Sequence, residues 1–370
     1  MPLEPPKACI AIVTGANMRV GTPGGTRSYV LGLSRFLVQN RFGVELITNG
    51  RVDEAPEGCA VRPARLDYLP SSFRFHRDLR RWATLANLTG VDLLHFQRPD
   101  DFAAFLHLDK LPPTVCTLHG DPWLGVRRRR GKLLELAYRR LERKALRRIE
   151  AIVAVDSVTA EVYSKRYPFI ADRLHIIPNA VDDSFIAEEV RSGDGPSPAQ
   201  PPVFVFAGRL SVEKRVERII TAVTRYPALS GAKLVIAGSG PEEERLRQFA
   251  NGLPVEFVGQ LNRSELSALY RSCDALVIAS EFEGLPTVAL EAVAAGCPVV
   301  ALEGSGADWI RRDGLGILAP SPRALSEALA AAVPLRRQGA SIQVPSQYTW
   351  SSVGPQILDV YRRVREEVKP

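Results

Sequence analysis

Short apolar runs rich in Val and Ile alternate along the chain with longer stretches whose apolar positions recur every three or four residues. The runs at residues 9–13, 44–48, 91–96, 114–118 and 151–155 read as buried β-strands, because they are brief and lack polar alternation. Residues 28–40 and 132–148 carry the helical period between them. The same alternation then begins again. Strands are predicted at 203–206, 233–237, 255–258, 275–279 and 298–302, with helices at 215–225, 242–251, 264–272 and 287–295. Strands interleaved with helices predict parallel sheets covered on both faces, so the expected fold class is α/β with two Rossmann-like, doubly wound domains.

The seam is legible too. Residues 193–202 read Gly-Asp-Gly-Pro-Ser-Pro-Ala-Gln-Pro-Pro, a composition that cannot hold regular structure and marks a surface excursion. The change of domain is placed just before it, at 178–185. The expected domains are 1–180 and 181–348, followed by a segment 349–370 with a helical pattern at 351–365. A length of 370 residues suits two cores better than one. No run approaches the ~18 apolar residues that span a bilayer. The run at 9–13 is too short for the core of a signal peptide. The five cysteines are odd in number, scattered and without a Cys-x-x-Cys pair, which argues against a disulfide framework or zinc cluster and for the cytoplasm.

Net charge is +7, and the excess is uneven: residues 127–148 hold eleven Lys or Arg against two Glu. A basic balance suits nucleic acid, a membrane surface or phosphorylated ligands, and does not choose between them. The run Arg127-Arg-Arg-Arg130 has no interleaved aromatic residues to stack on bases, which argues against nucleic acid. For the helix at 127–148 two readings stand. One is a solvated face. The other is contact with an anionic membrane, which would place the protein at the inner face of the membrane beside a lipid-linked acceptor. Leu133, Leu134, Leu136 and Leu141 are expected to be taken up by the core, which weakens the second reading.

Three segments carry candidate chemistry. In Ala275-Leu-Val-Ile-Ala-Ser-Glu-Phe-Glu-Gly-Leu-Pro-Thr-Val-Ala-Leu-Glu291 a buried strand meets an acidic Gly/Pro loop, and a helix starts near Thr287. Open α/β sheets bind ligands at such strand ends, and a helix start offers N–H groups to an anion. Glu291 lies one turn after Thr287 on the same helical face, suited to a vicinal diol such as a ribose; Glu283 on the loop reaches further out. Standing alone, the segment is equally an acidic turn in solvent. In Phe204-Val-Phe-Ala-Gly-Arg-Leu-Ser-Val-Glu-Lys214, a strand runs into Gly208-Arg209, and Lys214 precedes the next helix. Two fixed cations there suit a diphosphate, each charge-assisted hydrogen bond contributing roughly 1.5–3 kcal/mol. Gly21-Thr-Pro-Gly-Gly-Thr26, between the first strand and first helix, would let backbone amides approach a phosphate or sugar. Gly238-Ser-Gly-Pro-Glu-Glu243 superficially resembles a dinucleotide loop. Glu243 replaces its third glycine, so a tight turn is the better reading.

Taken together, these segments resemble glycosyltransferase family 4, the retaining enzymes of the GT-B fold, over nearly the whole chain. The motifs are two glutamates separated by seven residues (Glu283, Glu291), Gly208-Arg-Leu-x-x-Glu-Lys214, Gly238-x-Gly-Pro241 and Ile177-Pro-Asn-Ala-Val-Asp182. The resemblance implies two domains about a cleft, the first binding an acceptor and the second a nucleotide-sugar donor. It implies that Arg209 and Lys214 hold the diphosphate and Glu291 the ribose. Glu283, with the amides of Gly284, Leu285, Pro286 and Thr287, would hold the sugar and distal phosphate. Gly24 and Gly25 would close over the phosphate, and backbone groups near Gly259 and Leu261 would meet the base. His119, in Thr117-Leu-His-Gly-Asp121, matches the family's active-site histidine, and the final helix is expected to return to the first domain. Ala180 and Arg215 stand where the family usually has glycine, and neither is assigned a charged contact. Without an Asp-x-Asp motif, no metal or cofactor is expected, and charge on the leaving diphosphate falls to protein cations. The implied chemistry is front-face transfer to an acceptor hydroxyl with retention. A sugar-nucleotide epimerase, a glycan phosphorylase and a non-catalytic basic binding protein are the competing readings.

Overall fold

The computed structural model describes residues 6–19, 25–68, 72–86, 88–120, 123–186, 196, 199–281, 285–303, 309–338 and 343–367. Thr26–Asn179, with the strand before it and the chain from Trp350 onward, form one compact unit; Ala180–Thr349, with Gly25, form a second.

In the first unit the strands are β1 (Cys9–Thr14), β2 (Gly43–Asn49), β3 (Cys59–Arg65), β4 (Leu93–Phe96), β5 (Thr114–Leu118), β6 (Ala151–Ala154) and β7 (Leu174–Ile176). They pair in parallel in the order β3-β2-β1-β4-β5-β6-β7. The helices are α1 (Gly25–Gln39), α2 (Ser72–Leu85), α3 (Pro99–Ala103), α4 (Trp123–Arg148) and α5 (Ser157–Arg166). Central strands β1, β4, β5 and β6 are almost wholly buried, as unbroken apolar runs require when helices cover both faces.

The second unit repeats the plan with β8 (Val203–Ala207), β9 (Lys233–Ala237), β10 (Val255–Gly259), β11 (Ala275–Ile278), β12 (Val299–Leu302) and β13 (Gly316–Ala319), in the order β10-β9-β8-β11-β12-β13. Its helices are α6 (Val216–Thr224), α7 (Glu243–Phe249), α8 (Arg263–Ser272), α9 (Thr287–Ala294), α10 (Trp309–Arg312) and α11 (Ala324–Arg337). Asp274, fully buried beside β11, accepts a two-pronged bond from Arg337 at 2.7 and 3.0 Å and the Val203 N–H at 2.8 Å. It ties α11 to the start of β8. Asp182, from the Ile-Pro-Asn-Ala-Val-Asp motif, pairs with Arg263 at the start of α8 at 2.9 Å. The Val181 N–H donates to the Tyr348 carbonyl at 2.8 Å, so the strands of chain entering and leaving this unit run side by side.

The last helix, α12 (Trp350–Glu367), belongs to the first unit. Trp350 packs on Tyr29 and Phe36 with ring centroids 5.6 and 6.2 Å apart. A Cβ on Gly32 would overlap the Trp350 ring, and one on Gly354 would overlap Phe36; both glycines are there for close approach. Further along α12, the Tyr361 hydroxyl meets His95 Nδ1 at 2.6 Å, and His95 Nε2 meets Thr117 Oγ1 at 2.7 Å. The wholly buried ring therefore bonds α12 to the middle of the sheet.

Two expectations need correction. Leu133 and Leu136 are not core residues: they are 86% and 50% exposed on α4, and of the four leucines named only Leu141 is seen packed against the core. The Leu134 side chain lies outside the described residues. Strands β3, β7 and β13 extend the sheets beyond the predicted set. Each is an edge strand: β3 is interrupted by Arg62 and Pro63, β7 has only three residues, and β13 is a four-residue strand of which only Ala319 is buried. Among the described residues no helix is long and apolar enough to cross a membrane.

Candidate functional site

In each sheet the chain winds outward from a first strand in one direction, then returns and continues in the other. The reversal lies between β1 and β4 in the first unit and between β8 and β11 in the second. At such a point the loops leaving adjacent strands diverge and open a crevice at the carboxyl end of the sheet.

In the second unit the motif segments leave β8 and β11, the two strands at the reversal. Beyond β8, Gly208 takes φ +151°, Arg209 is exposed, and Lys214 closes a single turn of 3-10 helix just before α6. The next strand end lies tight against this loop. Gly208 N–H donates to Ala237 O and Leu210 N–H to Ser239 O, each at 3.0 Å, while Gly238 N–H donates to Gly259 O at 2.6 Å. A Cβ on Gly238 would overlap the Gly208 carbonyl, and one on Gly240 the Leu210 carbonyl. These glycines let backbone pass backbone, as a tight turn needs, and thereby fix the Arg209 loop. Gly259 itself has φ +71°, and Leu261 is half-buried against the core.

Beyond β11, Leu285, Pro286 and Thr287 are buried, and α9 begins at Thr287 behind Pro286, which supplies no side-chain cap. Glu291 is buried one turn on, close to Tyr270, whose hydroxyl is raised in pKa first by burial and then by the Glu291 charge. Glu283 and Gly284, like Gly24, lie outside the described residues; Gly25 opens α1.

The expectation that Arg215 makes no charged contact is wrong. It occupies the left-handed region at φ +50°, ψ +41°, which explains a preference for glycine there. Its guanidinium bonds Glu281 through Nε at 2.9 Å and also through Nη2, and the Glu281 N–H donates to the Glu213 carbonyl at 2.9 Å. The loop that carries Lys214 is thus clipped to the loop that leads to Glu283.

In the first unit, His119 follows β5 and sits half-buried. Its Nε2 donates to Gln97 Oε1 at 2.9 Å, and its ring meets the Tyr29 ring edge-on at 4.9 Å. Burial, reinforced by the Arg98 charge, pushes its pKa down to about 3, so it is neutral near pH 7. Sequence reasoning missed its neighbours. Gln97 and Arg98 follow β4, and buried Asp101 accepts from Arg98 Nη2 and from the Gly15 N–H, both at 3.2 Å. A Cβ on Gly15 would crowd Arg98, Asp101 and Phe75, so the loop after β1 packs directly on this cluster. Burial raises the Asp101 carboxyl while Arg98 opposes the shift.

Comparison with known proteins agrees with this plan. The glycosyltransferase family 4 model matches residues 23–185, and the glycosyl transferases group 1 model matches residues 188–337. The chain is 33% identical over 141 residues to the sulfoquinovosyl transferase SQD2 of Arabidopsis thaliana, an alignment covering 37% of this chain and 27% of that protein. It is 28% identical over 365 residues to the glycogen synthase of Mycobacterium tuberculosis, covering 86% of this chain and 84% of the relative. The solved structure of sucrose-phosphate synthase from Thermosynechococcus elongatus superposes with a TM-score of 0.79 at 21% identity, over 98% of this chain and 100% of that one; this likeness speaks to the fold. Two parallel sheets of doubly wound topology, two family models in succession and a full-length structural match lead to one conclusion: the chain belongs to the GT-B glycosyltransferases, with a family 4 segment followed by a group 1 segment.

Proposed function

We propose that this protein is a retaining glycosyltransferase that moves a sugar from a nucleotide-diphosphate donor to an acceptor hydroxyl without a metal. The observation that carries the reading is the pair of loops at the reversal between β8 and β11, one bearing Arg209 and Lys214, the other leading into the start of α9 behind Pro286. Cations and the N–H groups of a helix start, carried at adjacent strand ends, suit a leaving diphosphate. Glu291, one turn into α9, is assigned the ribose; the segment from Glu283 to Thr287 is assigned the sugar and distal phosphate; Gly24 and Gly25 are assigned the phosphate. His119, neutral and held by Gln97, is assigned a hydroxyl of the transferred sugar. Departure of the diphosphate leaves one of its oxygens to take the acceptor proton, so the chain supplies position and electrostatic stabilisation rather than a nucleophile.

The first test is thermal shift against UDP-, GDP-, ADP- and dTDP-glucose, since a bound donor raises stability by mass action. One member of the panel is expected to stabilise the protein. Isomerisation of that donor without acceptor would favour an epimerase, and sugar phosphate formed on adding inorganic phosphate would favour a phosphorylase.

A second reading concerns α4. Leu133, Leu136, Arg140, Arg143 and Arg147 follow spacings of three and four, hence one helical stripe, and all five are exposed. We propose that this stripe rests on an anionic membrane, the leucines at the interface and each basic residue contributing about 1 kcal/mol.

A further inference from the structure

The reversal in the first unit holds a side chain that the sequence motifs do not announce. Gln97 follows β4 directly and is completely buried, its N–H bonded to the Val13 carbonyl of β1 at 3.0 Å. Its side-chain carbonyl accepts from His119 Nε2 at 2.9 Å. Its amide nitrogen, also buried, has no hydrogen-bond partner among the described residues. A buried donor left unpaired is costly, and an apolar side chain of similar size would avoid that cost. Packing therefore does not explain Gln97.

We infer that Gln97 is a positioning residue: by accepting the Nε2–H it holds His119 as the Nε2–H tautomer and leaves the Nδ1 lone pair to accept from a substrate hydroxyl. A neutral imidazole has one donor and one acceptor nitrogen, and the bond at one decides the state of the other. The Tyr29 ring, edge-on at 4.9 Å and 76°, fixes the plane of the imidazole, while Gln97 fixes which nitrogen carries the proton. His95 is near but cannot substitute, since both its ring nitrogens are engaged by Tyr361 and Thr117. Arg98 and Asp101, the charged groups beside the ring, are engaged with each other at 3.2 Å. A change at Gln97 thus acts on His119 by way of this one bond.

The inference rests on the role assigned above to His119, and the experiment separates the two. Nitrogen-15 spectra of histidine-labelled parent, Gln97→Leu and Gln97→Asn proteins report the His119 tautomer, with His119→Ala used to assign its signals. The parent is expected to show the Nε2–H form. Gln97→Leu is expected to show a mixture including Nδ1–H, with a urea midpoint near that of the parent, because relief of the unpaired amide nitrogen offsets the lost bond to His119. Release of nucleoside diphosphate from the stabilising member of the nucleotide-sugar panel should fall about tenfold in kcat with KM little changed. A parent spectrum showing Nδ1–H, or an unaltered tautomer in Gln97→Leu, overturns the inference. So does unchanged kcat in Gln97→Leu when His119→Ala is impaired. Full turnover by His119→Ala overturns the assignment of His119 itself, and the inference with it.

Discussion

Replacing Arg215 by glycine sets two local energies against each other. The left-handed backbone at φ +50° costs a non-glycine residue roughly 1–2 kcal/mol, which glycine would recover. Glycine gives back about 0.5–1 kcal/mol through the greater freedom of the unfolded chain. The substitution also removes the bonds to Glu281, and both side chains are about a quarter exposed (29% and 26%). Solvent screening limits such a pair to about 0–1 kcal/mol. These terms nearly cancel, so Arg215→Gly should change stability by no more than about 1 kcal/mol, a shift of a few degrees at most. Glu281→Gln loses the ion pair while keeping the left-handed arginine, and should be the less stable single variant by about 1 kcal/mol. In the double variant the second change should cost almost nothing, because the interaction has already gone. Equilibrium urea unfolding followed by circular dichroism of all four proteins supplies the cycle. A loss above about 2 kcal/mol in Arg215→Gly would show that the clip to Glu281, not the backbone, dominates, and the reasoning would fail.

Other outcomes follow from the same structure. Gly354→Ala places a methyl group into the Phe36 ring, and overpacking of about 1–3 kcal/mol should exceed the ~1 kcal/mol gained in helix propensity, lowering the urea midpoint; an unchanged midpoint would show that α12 yields freely. His95 and His119 are each pushed down to about 3, chiefly by burial. Unfolded, both take up protons near pH 6.5, so each makes stability fall by about 1.4 kcal/mol per pH unit as pH drops from about 6 towards 3. Asp101, raised by burial, opposes this by binding its proton earlier in the native state. His95→Gln should therefore flatten the slope by one proton, and an equal slope in parent and variant would contradict it. Glu291→Ala should chiefly raise donor KM and Glu283→Ala chiefly lower kcat, with activity surviving EDTA; identical defects, or rescue by magnesium after chelation, would refute the division of roles or the metal-free reading. Leu133→Ser with Leu136→Ser should lower sedimentation with anionic vesicles but leave neutral vesicles unaffected; equal partitioning of parent protein between the two removes the membrane reading.

Central strands were readable because burial on both faces leaves an unbroken apolar run, as at 10–13 and 275–278. Edge strand β3 was not, since none of its residues is buried and it tolerates Arg62 and Pro63. The phosphate-binding candidates in the second unit announced themselves because each segment is local: strand, glycine, cation, helix. Gln97 and Asp101 carry no such spacing, and only the folding of β1, β4 and β5 side by side brings them to Gly15 and His119. Arg215 and Glu281 are 66 residues apart and meet for the same reason. Leu133 and Leu136 show the limit of periodicity, which identifies an apolar stripe on a helix without saying what the stripe faces.

On the proposed reading a donor diphosphate is held on the second unit by Arg209 and Lys214. Isothermal calorimetry of UDP, GDP, ADP and dTDP with the parent, Arg209→Ala and Lys214→Ala measures that hold. One nucleotide is expected to bind the parent, and Arg209→Ala to weaken it at least about tenfold, about 1.4 kcal/mol, with the unfolding midpoint of the free protein unmoved. Equal affinity for parent and both variants would contradict it.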